Sequence, residues 1–446
     1  MSKFFGTNGI RGTLPLMSPE FVLKLGVSFG TWAKKRGYNE IYIGKDTRVT
    51  GEMVESALVS GLLWSGCKPI ILGVIPSPGV EFLSARDKKP HVIITSSHNP
   101  PEWIGLKFGD EEGLPLSKER GNEIEKIYEG EEWKTVDWNE IPSILYNEHR
   151  INEYYDLTKS SGTNLNGLKL VVDCANGASC RIAPRLFEEL GAEVIPLNDE
   201  ENGLFPGHPS EPTEKNLQEL ISKVKEHKAD IGIAYDGDCD RLALVDEKGN
   251  FIDGNKVFAI GVKIAMKEKQ GDVVTTIATS NLIREIVEKE GRKLKYVVVG
   301  TPYICEEMHK GNYSTGGEEV GGIIWPLIHP GKDGILSSVK IVSYLKKNNL
   351  KLSDIVSLLP KYYVVKEKID MGKERFEVVE KMREMFKNDE RANIIDGLRM
   401  DFENGWCILR ASGTENYLRI FAESKYENEA KKLVEWMQSE LVKIPK

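Results

Sequence analysis

The chain has 446 residues, too many for a single hydrophobic core, so roughly two to four domains are expected. Its formal charge of −8, with Lys and Arg spread along the sequence, argues against a nucleic-acid or anionic-lipid binder built on a long basic stripe. No apolar window reaches bilayer length, Met1 to Gly12 lacks the apolar centre of a signal peptide, and six cysteines show no CxxC or metal-ligand spacing, so a cytoplasmic protein with reduced, packing cysteines is expected.

In chain order, Phe4 to Gly12 (FFGTNGIRG) sets glycines around Arg11, which suits close approach to a ligand with one cation, or simply a flexible start. Ser18, Pro19 and Glu20 read as a helix start, with Phe21, Leu25, Phe29 and Trp32 at helical spacing. Strand Ile41 to Ile43 leads into Lys45, Asp46, Thr47 and Arg48. Helix Glu52 to Trp64, strand Pro69 to Leu72 and the segment Val80 to Ala85 follow. This alternation predicts a parallel sheet with ligands at the carboxyl ends of its strands.

One such end is the next stretch. The apolar run His91 to Ile94 delivers Thr95, Ser96, Ser97 and His98 into a loop that Pro100 and Pro101 keep from becoming a helix. A nucleophile fits there, and so does an ordinary turn. Trp103 to Phe108 carries Lys107, Ser117 to Tyr128 reads as helix, and charged Glu129 to Asn147 reads as a linker or domain edge.

A second α/β unit begins with strand Leu168 to Asp173, then helix Arg181 to Leu190, strand Glu193 to Leu197, a Gly/Pro loop from Asn202 to Thr213 and helix Glu214 to Glu226. Strand Ile231 to Ala234 empties into Asp236, Gly237, Asp238, Cys239, Asp240 and Arg241. Carboxylates at alternate positions repel one another unless a cation joins them, and a hard divalent metal is the simplest partner. An EF-hand is disfavoured because Arg241 stands where its glycine is required; a solvated acidic turn is the other reading.

The third unit has strand Val273 to Ala278, a helix from Asn281 capped by Ser280, strand Tyr296 to Val299 and helix Tyr303 to His309. It breaks at Thr315 to Gly322 (TGGEEVGG), before helix Asp333 to Leu345. Glu318 and Glu319 framed by glycines suit sugar hydroxyls, or a hairpin with a solvated tip. The last piece has strand Tyr363 to Ile369, helix Glu374 to Lys387, strands Trp406 to Arg410 and Tyr417 to Glu423, and helix Glu427 to Val442. It holds Arg410, Ala411, Ser412, Gly413 and Thr414, a candidate anion cradle. A nucleophile, metal carboxylates, hydroxyl-binding acids and an anion cradle are together what a sugar phosphate requires. A phosphoryl group on Ser97 would bring roughly −1.5 to −2 charges, for which Arg11, Lys107, Arg241 and Arg410 can compensate.

FGTNGIRG, GKDTR, TSSHNP, DGDCDR, GGEEVGG and RASGTEN, in this order, resemble the α-D-phosphohexomutase superfamily across essentially the whole chain. The resemblance implies an α/β protein of three mixed α/β domains of related fold plus a smaller C-terminal α+β domain around a central cleft. Its domains would be 1–148, 149–252, 253–361 and 362–446. It implies interconversion of hexose 1- and 6-phosphates of glucose or mannose through a phosphoserine and a 1,6-bisphosphate, with phosphoglucosamine mutase as the alternative and a sugar-phosphate-binding protein as the non-enzyme one. Ser97 would be the phosphoserine, with Arg11 and Lys107 assisting proton and phosphoryl transfer and His98 positioning the loop. One Mg²⁺ would be held by Ser97, Asp236, Asp238 and Asp240. Arg241 would support the metal loop, Glu318 the sugar hydroxyls, and Arg410, Ser412, Gly413 and Thr414 the phosphate that is not transferred. Hexose 1,6-bisphosphate would act as activator and intermediate. The partners implied are a hexose phosphate and at most a second copy of the chain as a homodimer, with neither nucleic acid nor membrane. Val298, Val320 and Gly322 depart from the residues common in the superfamily, Lys, Ser and His respectively, and bear on which sugar is preferred.

Overall fold

The computed structural model describes residues 4–6, 8–412 and 416–444. The first unit is a sheet whose strands lie in the order Ile10–Gly12, Ile104–Gly109, His91–Ile94, Glu40–Lys45, Lys68–Val74 and Leu145–Tyr146. The expected parallel sheet is therefore mixed: Ile104–Gly109 runs antiparallel to His91–Ile94 on one side and to Ile10–Gly12 on the other. The segment from Glu129 to Asn147 is not a free linker, because Leu145 and Tyr146 pair with Ile70 and Ile71 at the sheet edge.

Helices Pro19–Lys34 and Gly51–Trp64 lie on one face, the first capped by Ser18, whose Oγ accepts from Phe21 N–H. Their axes cross closely at Gly26 and Gly61. A Cβ at Gly26 would meet Leu58 O at 2.6 Å, and one at Gly61 would meet Leu23 O at 2.2 Å. Helix Ser77–Asp87 covers the other face.

The second unit orders its strands Phe251–Ile252, Leu242–Asp246, Ile231–Tyr235, Lys169–Asp173 and Glu193–Leu197, and the third Leu294–Val297, Asp272–Thr276, Tyr313–Glu318 and Gly322–Ile324. All three units share one plan. A central strand is flanked by two parallel neighbours, one of which turns back into an antiparallel strand. That return connection is 95–103 in the first unit, 236–241 in the second and 319–321 in the third. The candidate site loops of these three units thus occupy the same place in a repeated architecture.

Several elements differ from expectation, among them helix Leu352–Ser357 and strand Leu398–Phe402, which the sequence pattern does not predict. Helices Ile151–Ser160 and Gly254–Glu268 are additional, and Thr315 to Glu318 is strand, so the glycine-rich stretch is a hairpin with a short turn. Glycine suits this buried strand because the sheet is tightly covered: a Cβ at Gly317 would meet Phe258 at 2.5 Å. The second and third units share a continuous core running from Tyr154 to Leu359, whereas the first and fourth have their own.

The fourth unit is an antiparallel sheet ordered Tyr363–Asp370, Tyr417–Ser424, Gly405–Ala411, Leu398–Phe402 and Ala392–Asn393, with helices Arg375–Phe386 and Glu427–Val442. A small apolar cluster of Ile277, Trp406 and Ile408 joins it to the third unit. Buried Arg399 reinforces the joint, donating to Ile277 O at 2.7 Å and Thr279 O at 3.3 Å. Among the described residues no helix is long and apolar enough to cross a membrane.

Candidate active site

The serine loop is held by a buried clamp. Arg48 donates through one terminal nitrogen to Pro100 O (2.6 Å) and Trp103 O (2.9 Å), and through the other to Ser97 O (2.9 Å) and Asn99 O (2.7 Å). Its Nε lies 3.1 Å from Asp46 Oδ2, and neither side chain is exposed. Thr95 Oγ1 donates to Asp46 Oδ2 at 2.6 Å and accepts from Ser97 N–H at 2.8 Å. Burial raises the Asp46 carboxyl above its usual range, with Arg48 pulling against it. So held, Ser97 adopts φ 52°, a left-handed conformation that non-glycine residues enter only when their surroundings enforce it. Arg48→Ala would leave Asp46 buried without its cation and is expected to cost about 3–5 kcal/mol, read as a lowered midpoint in urea unfolding. A midpoint within experimental error of the parent would refute the clamp.

Ser97 Oγ donates to Asp236 Oδ2 at 2.7 Å, which joins the first unit's loop to the second's. Asp236 Oδ1 accepts from Arg241 N–H at 3.2 Å, and Cys239, at φ 67°, turns the loop so that Asp236, Asp238 and Asp240 each offer an oxygen within 4.8 Å of the others. Burial, then Asp240 and Asp238, push the Asp236 carboxyl up to about 8. Asp240 is held below the ordinary carboxylate range although burial opposes this, because Lys107, Lys332 and Arg241 surround it.

Lys107 Nζ lies 2.5 Å from Asp238 Oδ2 and 3.1 Å from Asp240 Oδ2; burial disfavours its charge, but these carboxylates outweigh that and raise its pKa. Ser77 also donates to Asp238 Oδ2. Asp238 Oδ1 and Asp240 Oδ1 are buried without a hydrogen-bond partner among the described residues. Buried carboxylate oxygens are costly when unsatisfied, and an all-oxygen set of this kind is the donor chemistry of Mg²⁺-class ions. The residues therefore fit a hard divalent cation.

Arg11 reaches the same loop, donating to Asn99 Oδ1 at 3.3 Å, with its buried Nε unpartnered among the described residues; burial lowers its pKa while Asp238 opposes. His98 Nδ1 stands 3.4 Å from Ser97 Oγ, farther than Asp236. Burial, Arg241 and Arg11 push His98 down to about 2, so its imidazole is neutral. Arg241 Nε lies 3.8 Å from both Asp236 and Asp240.

The third unit meets this cluster through Lys332, which the sequence did not single out. It is buried, 2.5 Å from Glu318 Oε1 and 3.6 Å from Asp240 Oδ2. Its only local signal is its place before Asp333, whose side chain caps helix Gly334–Asn348. Lys332 also bears on Gly322: a Cβ there would meet Lys332 Cδ at 2.4 Å, so a larger residue is shut out by the lysine stem. Glu319 accepts from Thr276 at 3.2 Å; burial and Glu318 raise its carboxyl, and Arg410 pulls it down.

Arg410 thus lies within electrostatic reach of the hairpin that carries Glu318 and Glu319, and it pairs with Asp396 at 2.8 Å. Ser412 is buried; its Oγ accepts from Arg419 at 3.4 Å, and its carbonyl accepts from Arg375 at 2.9 Å. Gly413 and Thr414, expected in the cradle, lie outside the described residues. Of the expected set, the structure brings Arg11, Ser97, His98, Lys107, Asp236, Asp238, Asp240 and Arg241 into one cluster, with Glu318 attached through Lys332.

Four family models match the chain in order, each described as phosphoglucomutase/phosphomannomutase. The alpha/beta/alpha domain I model matches residues 2–135, domain II 145–249, domain III 253–362 and the C-terminal domain 365–438. A phosphoglucomutase/phosphomannomutase of Thermococcus kodakarensis is 39% identical, covering 98% of this chain and 97% of its own. A phosphoglucosamine mutase of Methanocaldococcus jannaschii is 35% identical with the same coverage. Among solved structures, a phosphoglucomutase/phosphomannomutase family protein from Burkholderia thailandensis has the same fold, with a TM-score of 0.86 over 97% of this chain and 95% of that one, at 22% identity.

Proposed function

The chain belongs to the phosphoglucomutase/phosphomannomutase family, and from that premise we propose that it interconverts the 1- and 6-phosphates of glucose or mannose, with Ser97 as the phosphoryl carrier. The observation that carries this reading is the 2.7 Å contact of Ser97 Oγ with Asp236, beside Lys107 on Asp238.

In the first half-reaction the free sugar hydroxyl attacks phosphorus on Ser97. The P–Oγ bond breaks, the new P–O bond forms on the sugar, and the hydroxyl proton ends on Ser97 Oγ. In the second half, Ser97 Oγ attacks the other phosphate of the 1,6-bisphosphate and the proton returns to the freed hydroxyl. Such transfers are driven by positioning and charge stabilisation. A Mg²⁺ ion held by Asp236, Asp238, Asp240 and a phosphoserine oxygen would neutralise charge at the transferring group. Lys107 and Arg11 stabilise the same oxygens, Arg241 steadies the aspartate loop, and neutral His98 holds the serine loop. Glu318 meets sugar hydroxyls, paired with Lys332. Arg410, with Ser412, Gly413 and Thr414, holds the phosphate that stays.

The second reading is a phosphoglucosamine mutase, favoured by the relative of that name at 35% identity. Incubation with glucose, mannose and glucosamine 1-phosphates, Mg²⁺ and a trace of the corresponding 1,6-bisphosphate is expected to yield 6-phosphate most readily from glucose or mannose. Faster turnover of the glucosamine ester would establish the second reading, and no 6-phosphate from any of them would refute both.

A further inference from the structure

Asp396 lies in the turn before strand Leu398–Phe402, outside every set of residues assigned above. One of its carboxylate oxygens, Oδ2, does two things. It pairs with an Arg410 terminal nitrogen at 2.8 Å and accepts from the Val299 backbone N–H, in the third unit, at 2.9 Å. The turn also grips the stem of Arg410. Gly397 is left-handed at φ 72°, and a Cβ there would fall 2.2 Å from Leu409 O and 2.8 Å from Arg410 Cγ. Both partners of the ion pair are about four-fifths covered, at 19% and 20% exposure, so the contact is neither a loose surface pair nor a sealed core one. Arg410 Nε is buried without a hydrogen-bond partner among the described residues, while Arg410 still acts on the Glu319 carboxyl. A guanidinium binds phosphate through a planar fork, and a carboxylate on one tine fixes the plane in which the rest is presented.

We propose that Asp396 is a positioning residue: it orients Arg410 for the phosphate that is not transferred and, through the same oxygen, ties that cradle to the third domain. The inference rests on the reading that Arg410 meets phosphate. Because Oδ2 is shared, a phosphate drawing on Arg410 and the seating of the fourth domain on Val299 are coupled through one atom.

The test is titration of glucose 1,6-bisphosphate into the Mg²⁺-loaded enzyme by calorimetry, in a cycle of single and double variants. Arg410→Ala is expected to weaken binding about 30-fold, the loss of a charge-assisted contact. Asp396→Asn is expected to weaken it about tenfold and Asp396→Glu to recover most of that, as for groups that orient a ligand-binding side chain. Placed on Arg410→Ala, Asp396→Asn should weaken binding no further, because its effect passes through the missing guanidinium. Circular dichroism checks folding, and Asp396→Ser replaces the Asn variant should that one not fold. Unchanged binding in Asp396→Asn beside weakened binding in Arg410→Ala would overturn the role of Asp396 and leave the cradle standing. Additive losses in the double variant would also overturn it, since Asp396 would then act independently of Arg410. Unchanged binding in Arg410→Ala would bring down the cradle reading itself.

Discussion

Ser97→Ala is expected to lower mutase turnover by at least about 10⁴-fold, the scale on which losing a covalent nucleophile acts. Oγ is the atom that carries the phosphoryl group between half-reactions, and no neighbouring hydroxyl can take its place. Ser96 Oγ is 3.2 Å from Asn99 Oδ1, tied into the loop, and Thr95 Oγ1 is engaged by Asp46. The variant should fold, since the bonds that Arg48 donates to the loop's backbone carbonyls remain, although Asp236 loses a donor worth about 1 kcal/mol. Intact-protein mass after incubation with glucose 1,6-bisphosphate separates the readings. The parent should gain one phosphate and Ser97→Ala none, with Ser96→Ala behaving like the parent. A phosphate that survives in Ser97→Ala, or turnover within tenfold of the parent, would refute the assignment.

Asp238→Asn should lower turnover about 10²- to 10³-fold, the range for losing one preorganised electrostatic group. The substitution keeps the shape of the loop but removes one negative charge from a set that already binds Lys107 at 2.5 Å. Two effects combine: a weaker cation site and a Lys107 with one fewer counter-charge. They can be separated. Added Mg²⁺ should raise the melting temperature of the parent, because binding only to the folded state stabilises it, and should do so much less in Asp238→Asn. Chelation should abolish parent activity and Mg²⁺ restore it. Near-normal turnover after chelation would remove the metal from the mechanism.

Much of the site was readable from local chemistry. The run of Asp236, Asp238 and Asp240 signals cation binding by its own repulsion. The apolar strand before Thr95, followed by paired prolines, marks a non-helical loop that carries hydroxyls at a strand end. Two caps were equally legible: Ser18 and Ser280 each accept from a backbone N–H in the first turn of the helix they precede. Helix Gly254–Glu268 was not, because it is apolar around most of its circumference, with Val257 through Val262 all buried, and so shows no single face. Helix Ile151–Ser160 failed for the opposite reason, burying only Tyr154, Tyr155 and Thr158 among polar residues. Arg48 stood in a quoted motif without a role, because a guanidinium that serves carbonyls on another loop leaves no local pattern.

By itself, then, the sequence determined which side chains could do chemistry and which loops carried them, because residue type and hydrophobic period act over a few positions. Only the tertiary structure decided their pairing. Ser97 and Asp236 stand 139 positions apart, and Lys107 and Asp238 131, yet each pair touches because the first unit turns its return loop, and the strand Ile104–Gly109 that follows it, toward the return loop of the second. The same long-range packing placed Lys332 between two carboxylates and set Asp396 where one oxygen meets both Arg410 and the third unit. Charge and hydrogen-bond complementarity between separate domains depends on how their sheets are docked, and that docking is a property of the folded surfaces.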